Sequence, residues 1–213
     1  MVLTEPLLRD TLLGGESALS PAVGGKLLSD YAVGTKAFKI NNLYMLAVDL
    51  RKSSEVISGL TDIGLDVNAP TLIITECVLV YIEKEFSERL CRAFSSHLTD
   101  AAWVTYDMIN PHDAFGKIMQ SNLRAASFSV PGFTDFPTLH DQVRRFKEDS
   151  GWTDSKSISM LSAYNKLISP DDKQRIARIE IFDEIEEWEL LMAHYCVTLA
   201  VVGERLASLL TLL

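Results

Sequence analysis

The chain has 213 residues, 47% hydrophobic and 23% charged, enough for one ordinary domain with a real core and unlike a disordered chain. Its 29 acids against 20 bases leave a formal charge of −9, which argues against nucleic-acid phosphate as the main partner. The longest apolar stretches, residues 72–82 and 196–202, are too short to span a bilayer, and Glu5, Arg9 and Asp10 stand where a secretory leader would be apolar.

Residues 1–42 are interrupted by Gly14-Gly15, Gly24-Gly25 and Gly34 and carry no readable element. Residues 43–50 (LYMLAVDL) then read as a short strand ending at Asp49, and Val56, Ile57 and Leu60 mark a helix. Leu72, Ile73 and Ile74 predict a buried strand over 71–75, with a carboxylate, Glu76, at its end. Phe86, Leu90, Phe94 and Leu98 make an i, i+4 stripe for a helix packed on a sheet. A strand follows at 103–108, then a helical face through Phe115, Ile118, Met119, Leu123 and Ala126. Residues 127–137 read as a loop punctuated by Pro131, Gly132 and Pro137.

Leu139, Val143 and Phe146 mark a third helix stopped by Gly151, and Met160, Leu161, Tyr164 and Leu167 a fourth. Ser169-Pro170-Asp171-Asp172 is a helix start, with a hydroxyl cap, proline in the first turn and acids behind it. Ile185, Trp188, Leu191 and Met192 form the last stripe, and residues 194–202 close the chain's elements with a strand. This alternation predicts α/β layering around a mainly parallel sheet.

Ligands of open α/β sheets bind beyond the carboxyl ends of the strands. Asp49 and Glu76 stand at such ends, where an acid is either a turn or cap residue or one that handles a ligand. Tyr81 reads equally as a core tyrosine with its hydroxyl at the surface. The acids Glu180, Asp183, Glu184, Glu186, Glu187 and Glu189 read as the solvated face of a helix, and His194 as a packing histidine. His97, His112 and His140 lack metal-ligand spacing, and the three cysteines, Cys77, Cys91 and Cys196, form no Cys-x-x-Cys pair. No zinc site or disulfide framework is expected, and a reduced, cytoplasmic setting is. No nucleophile elbow, phosphate loop or His-Glu-x-x-His occurs.

Four blocks nevertheless resemble the leucine carboxyl methyltransferases: residues 47–51 (AVDLR), 70–81 (PTLIITECVLVY), 113–124 (DAFGKIMQSNLR) and 178–195 (RIEIFDEIEEWELLMAHY). Their order and gaps agree with the family over roughly residues 43–202. The resemblance implies a Rossmann-like class I methyltransferase fold, with residues 43–213 as the C-terminal part of one domain. It implies S-adenosylmethionine as methyl donor and, as substrate and partner, the C-terminal leucine of the protein phosphatase 2A catalytic subunit, methylated by a monomer. It places Asp49 and Leu50 at the adenine end of the cofactor, Glu76 near its methionine portion and Tyr81 near the substrate carboxylate, with no catalytic base.

The family's glycine-rich cofactor loop and ribose-binding acid have no counterpart in residues 1–42. The chain therefore reads as an N-terminally truncated member, expected to bind cofactor weakly on its own. Two other readings stay open: a relative of the tRNA wybutosine-synthesising methyltransferases, and a non-catalytic module that docks on the phosphatase.

Overall fold

The computed structural model describes residues 37–40, 43–180 and 182–213, with no side-chain account of 37–40, 43 and 45. The glycine pairs near the N-terminus lie outside the described residues. Two compact units divide the chain, Met1–Asp66 and Val67–Leu213.

In the first unit, β1 (Ala37–Ile40) and β2 (Leu43–Leu46) pair antiparallel as a two-stranded sheet. The strand expected to run to Asp49 thus stops at Leu46. The chain instead turns at Asp49, whose carbonyl accepts from the Lys52 amide at 2.9 Å. Helix α1 (Ser53–Asp62) follows, burying Val56 and Ile57. Gly59 permits the approach of Leu46: a Cβ there would stand 2.7 Å from the leucine Cδ2.

The second unit is built on a four-stranded sheet of order β3-β4-β6-β5. Its strands are β3 (Thr71–Glu76), β4 (Ala101–Met108), β5 (Asp154–Ser159) and β6 (Tyr195–Val202). β3 and β4 are parallel, whereas β6 runs antiparallel to both β4 and β5. The expected mainly parallel sheet is therefore corrected: the last strand enters between two strands that share a direction, so two of three ladders are antiparallel. Among the described residues β3 is an edge strand of this sheet rather than a buried one, pairing with β4 alone, and Leu72 is 56% exposed.

β5 has no counterpart in the hydrophobic pattern. Its sequence, DSKSIS, is polar, and its serines work through their hydroxyls. Ser155 Oγ donates to the Leu199 carbonyl at 3.1 Å, and Ser157 Oγ lies 2.8 Å from Thr198 Oγ1.

The expected helices form as α2 (Lys84–His97), α3 (Ala114–Ala125), α5 (Leu139–Lys147), α6 (Met160–Leu167), α7 (Pro170–Ala177) and α8 (Ile185–Ala193), and the expected loop contains a short helix, α4 (Pro131–Asp135). Ser169 caps α7 as read, its Oγ accepting from the Asp172 amide at 3.1 Å. Helix α5 ends at Lys147, before Gly151, whose φ of +72° serves the turn beyond it.

One face of the sheet carries an aromatic core. Trp103 of β4 meets Phe94 of α2 edge-on at 5.3 Å, Phe146 of α5 at 5.6 Å and Trp152 at 5.9 Å. Its neighbours Ala102 and Val104 point to the other face, as strand alternation requires. There they pack with Leu199, Val201, Leu206, Leu209 and Leu210, so the C-terminal leucines that look exposed in sequence cover the sheet through a 3-10 helix (Ala207–Leu212).

Candidate functional site

Asp49 lies in the first unit, in the turn after β2. Both its carboxylate oxygens are engaged by Arg51: Nε stands 3.0 Å from Oδ1 and Nη2 2.8 Å from Oδ2, and the Arg51 amide donates to Oδ1 at 3.0 Å. These bonds from Arg51 hold the Asp49 carboxyl down at about 2, so it is a carboxylate at every physiological pH. Leu50 beside it is half-buried.

In the second unit, Glu76 is the last residue of β3, opposite Tyr106 of β4. It is exposed and makes no hydrogen bond or ion pair among the described residues. The next residue, Cys77, has a φ of +46°, a left-handed conformation that costs a non-glycine residue energy. Its amide still reaches the Tyr106 carbonyl at 2.8 Å, so the parallel ladder runs to its last bond before the chain turns sharply.

The turn continues into a 3-10 helix (Leu79–Tyr81) with Leu79 and Val80 buried and Tyr81 46% exposed. Gly132 of α4 presses on it from outside, where a Cβ would stand 2.8 Å from the Val80 Cα. Tyr81 is thus held at the rim by buried neighbours on its own turn, and the core-tyrosine reading does not apply.

Two tyrosines that the sequence reading did not single out complete this rim. Tyr106 and Tyr195 stack with ring centroids 5.0 Å apart and planes 14° from parallel. Burial pushes the Tyr106 hydroxyl up to about 12, with Tyr195, Cys77 and Glu76 adding to the effect. Burial raises Tyr195 as well, followed by the influence of Cys77 and Tyr81. Burial, then Asp107 and Glu76, lifts the Cys77 thiol to about 11, so it is no thiolate nucleophile at neutral pH. The rim therefore offers one carboxylate without a partner among the described residues, beside the phenols of Tyr81, Tyr106 and Tyr195. It can accept and donate hydrogen bonds and exclude water. Tyr106 lies near the end of the strand that the pattern predicts, opposite Glu76 once β3 and β4 pair. The stacking of Tyr195 on it depends on where β6 inserts.

Beneath the rim, Asp107 and Arg145 form an ion pair at 3.2 Å, with side chains 1% and 0% exposed. Thr105 Oγ1 donates to the same carboxylate at 3.0 Å, and the guanidinium lies over the Phe136 ring at 3.8 Å. Burial drives the Asp107 carboxyl upward, opposed by Arg145, Thr105 and the Val80 amide. Through Val80, this pair touches the turn that carries Tyr81.

The 113–124 and 178–195 blocks also meet. Asp113 caps α3, accepting from the Gly116 amide at 2.7 Å, and its carboxylate also lies 2.9 Å from Nε2 of buried His194. Nδ1 of that histidine is 2.7 Å from the Leu190 carbonyl, and Asn110 Nδ2 donates to the Ala193 carbonyl at 3.0 Å. His194 is the structural residue the sequence suggests, joining the start of α3 to the end of α8.

Asp113 is held below the usual carboxylate range by the Gly116 amide first and His194 second. A carboxyl whose folded pKa is depressed adds stability above its unfolded value, near 4, and loses it as pH falls through the folded value. Replacing Asp113 by Ala is expected to cost about 1 kcal/mol at pH 7. The gap to the wild type should close below about pH 4. Urea melts at stepped pH values check this, and a gap that stays constant to pH 2 would contradict it.

No cluster of His, Cys, Asp and Glu able to hold a metal ion occurs among the described residues, and none of their helices is long and apolar enough to cross a membrane.

This sheet has a counterpart among solved structures. A solved structure from Thermobifida fusca, described as a methyltransferase, superposes with a TM-score of 0.53 at 13% identity, covering 86% of this chain and 59% of that one. The fold is the Rossmann-like methyltransferase fold that this likeness shows.

Residues 25–95 match the family described as Leucine carboxyl methyltransferase. The Leucine carboxyl methyltransferase 1 homolog of Arabidopsis thaliana is 35% identical over 91% of this chain and 54% of its own length, and Leucine carboxyl methyltransferase 1 of Yarrowia lipolytica is 34% identical over 78% and 50%. The tRNA wybutosine-synthesizing protein 4 of Homo sapiens is 32% identical over 92% of this chain and 28% of its own length. The chain is similar to the leucine carboxyl methyltransferases over these matches and spans about half the length of the two leucine carboxyl methyltransferase relatives.

Proposed function

We propose that this chain carries the substrate-facing rim of an S-adenosylmethionine-dependent carboxyl O-methyltransferase acting on the C-terminal leucine of a protein, the protein phosphatase 2A catalytic subunit. The observation that carries the reading is the gathering of Glu76, Tyr81, Tyr106 and Tyr195 at the carboxyl ends of β3 and β4, supplied by two of the blocks that carry the family resemblance and the strand between them. A cytoplasmic monomer fits this role.

The residues fit the donor. Glu76 keeps its acceptor sites free at the rim and would face the cationic methionine end; for Asp49, whose oxygens Arg51 engages, and for Leu50, the adenine role rests on the family resemblance alone. S-adenosylmethionine supplies an activated methyl group. A leucine carboxylate is already anionic and nucleophilic at neutral pH, so the protein need not remove a proton. Its own work is to align the carboxylate and strip water from it. Tyr81, half-exposed, can donate to one carboxylate oxygen and leave the other to react, and the stacked pair Tyr106 and Tyr195 keeps the floor of the rim dry.

The test pairs calorimetry with labelled-methyl transfer to a leucine-ended phosphatase peptide. Glu76→Ala is expected to weaken S-adenosylhomocysteine binding by roughly ten- to a hundredfold, the effect of one hydrogen bond to a charged group. Tyr81→Phe should raise the peptide KM several-fold and leave S-adenosylhomocysteine binding alone. Binding unaltered by Glu76→Ala would remove the cofactor role. Peptide docking without any cofactor binding by the wild type would favour the non-catalytic module. The identity to the human tRNA wybutosine-synthesizing protein 4 supports a second reading, methylation of a tRNA base, against which the charge of −9 weighs. Transfer to tRNA and not to peptide would establish it.

A further inference from the structure

A cavity of about 330 Å³ opens between α3 and α4, lined by Gln120, Arg124, Phe128, Ser129, Val130 and Thr134 among others. Its chemistry differs from the rest of the chain. Between Asp113 and Asp135 the sequence holds Lys117 and Arg124 and no acid, in a protein of net charge −9. Arg124 gives one guanidinium nitrogen to Gln120 Oε1 at 3.2 Å and pairs with no carboxylate among the described residues. Ser127 and Ser129, also in the wall, are exposed, and although the Ser127 amide donates to the Arg124 carbonyl at 2.9 Å, neither hydroxyl has a hydrogen-bond partner among the described residues. The cavity thus presents a cation without a carboxylate partner and two hydroxyls without acceptors, beside exposed Phe128.

The cavity also adjoins the rim. Val130 lines it and packs, with Met119 and Leu123, onto the buried group of Val80, Met108 and Phe133 that also receives Cys77 and Tyr195. Pro131 and Thr134 belong to α4, the helix whose Gly132 presses on the turn bearing Tyr81. A peptide whose terminal carboxylate sits at Tyr81 would therefore run past this opening with the residues that precede its end.

We propose that this cavity is a specificity subsite for an aspartate or glutamate side chain of the protein substrate, upstream of the reacting leucine, with Arg124 pairing the acid and Ser127 and Ser129 donating to it. The proposal rests on the carboxyl methyltransferase reading but concerns peptide selection rather than methyl transfer. An arginine matches a carboxylate with paired N–H donors, and an exposed arginine kept free of acidic neighbours leaves that pairing to an incoming group.

The experiment uses dye-labelled peptides ending in leucine, with one aspartate moved through each preceding position and an asparagine counterpart for each. Affinity for the full chain is read by fluorescence anisotropy, and KM by labelled-methyl transfer. One position is expected to show about tenfold tighter binding for aspartate than for asparagine. Arg124→Glu should abolish that preference, and the variant should prefer a peptide with lysine at the same position. Because Arg124 is exposed, an unchanged thermal melt separates this loss from unfolding. Equal affinities for aspartate and asparagine peptides at every position, or a preference that survives Arg124→Glu, would overturn the proposal. Peptides that bind with the aspartate preference but are never methylated would leave the subsite standing and remove the methyltransferase reading.

Discussion

Replacing Arg145 by Met is expected to destabilise the protein by about 3–5 kcal/mol at pH 7, the cost of stranding a buried charge. Asp107 is 1% exposed and would keep only Thr105 Oγ1 and the Val80 amide against a full negative charge. Its Oδ1 already has no partner. The loss is comparable with the whole stability of a marginal domain, which runs about 5–15 kcal/mol.

The pH dependence carries a definite sign. Burial raises the Asp107 carboxyl above its unfolded value, and removing the guanidinium raises it further. A folded state that binds the proton more tightly is favoured at low pH and loses that advantage as pH rises through the folded pKa. The variant should therefore recover part of its stability near pH 4. The double variant Asp107→Leu with Arg145→Met should lose less than Arg145→Met alone, since neither charge is then stranded. Urea unfolding of the single and double variants reads both effects. A loss below about 1 kcal/mol for Arg145→Met would show that water reaches the pair. Through the Val80 amide, the same substitution is expected to loosen the turn that carries Tyr81.

Trp103→Ala is expected to cost about 3–5 kcal/mol by removing the centre of the aromatic core. Trp103 is buried, touches Phe94, Phe146 and Trp152, and donates its indole N–H to Thr75 Oγ1 at 2.9 Å. The hole cannot close easily, because α2, α5 and the sheet are each held by other contacts to it. Trp103→Phe should cost less than the alanine, as it keeps an edge-on ring beside Phe94. Equal losses for the two would locate the effect in the Thr75 hydrogen bond rather than in packing. Thermal melts with near-ultraviolet circular dichroism distinguish these outcomes.

Local pattern settles much of this protein. The stripe Phe86, Leu90, Phe94 is the inner face of α2, Ser169-Pro170 begins α7, and Glu76 ends β3 at the edge where ligands of α/β sheets lie. Each follows from steric and hydrogen-bonding rules that act within a few residues. The quoted motifs carry the family resemblance for the same reason, being contiguous.

What local pattern leaves open is which distant elements become neighbours. DSKSIS is a strand because β6 offers carbonyls to its serines, not because of its hydropathy. β3 is half-exposed because, among the described residues, it pairs with β4 alone, which Leu72, Ile73 and Ile74 do not reveal. Asp107 and Arg145 lie 38 residues apart, and Asp113 and His194 lie 81 apart. Periodicity reports that a face is apolar, but strand order and charge pairing are set by whatever packs against that face. The rim of Glu76, Tyr81, Tyr106 and Tyr195 therefore exists only once β6 has inserted beside β4 and brought Tyr195 onto Tyr106.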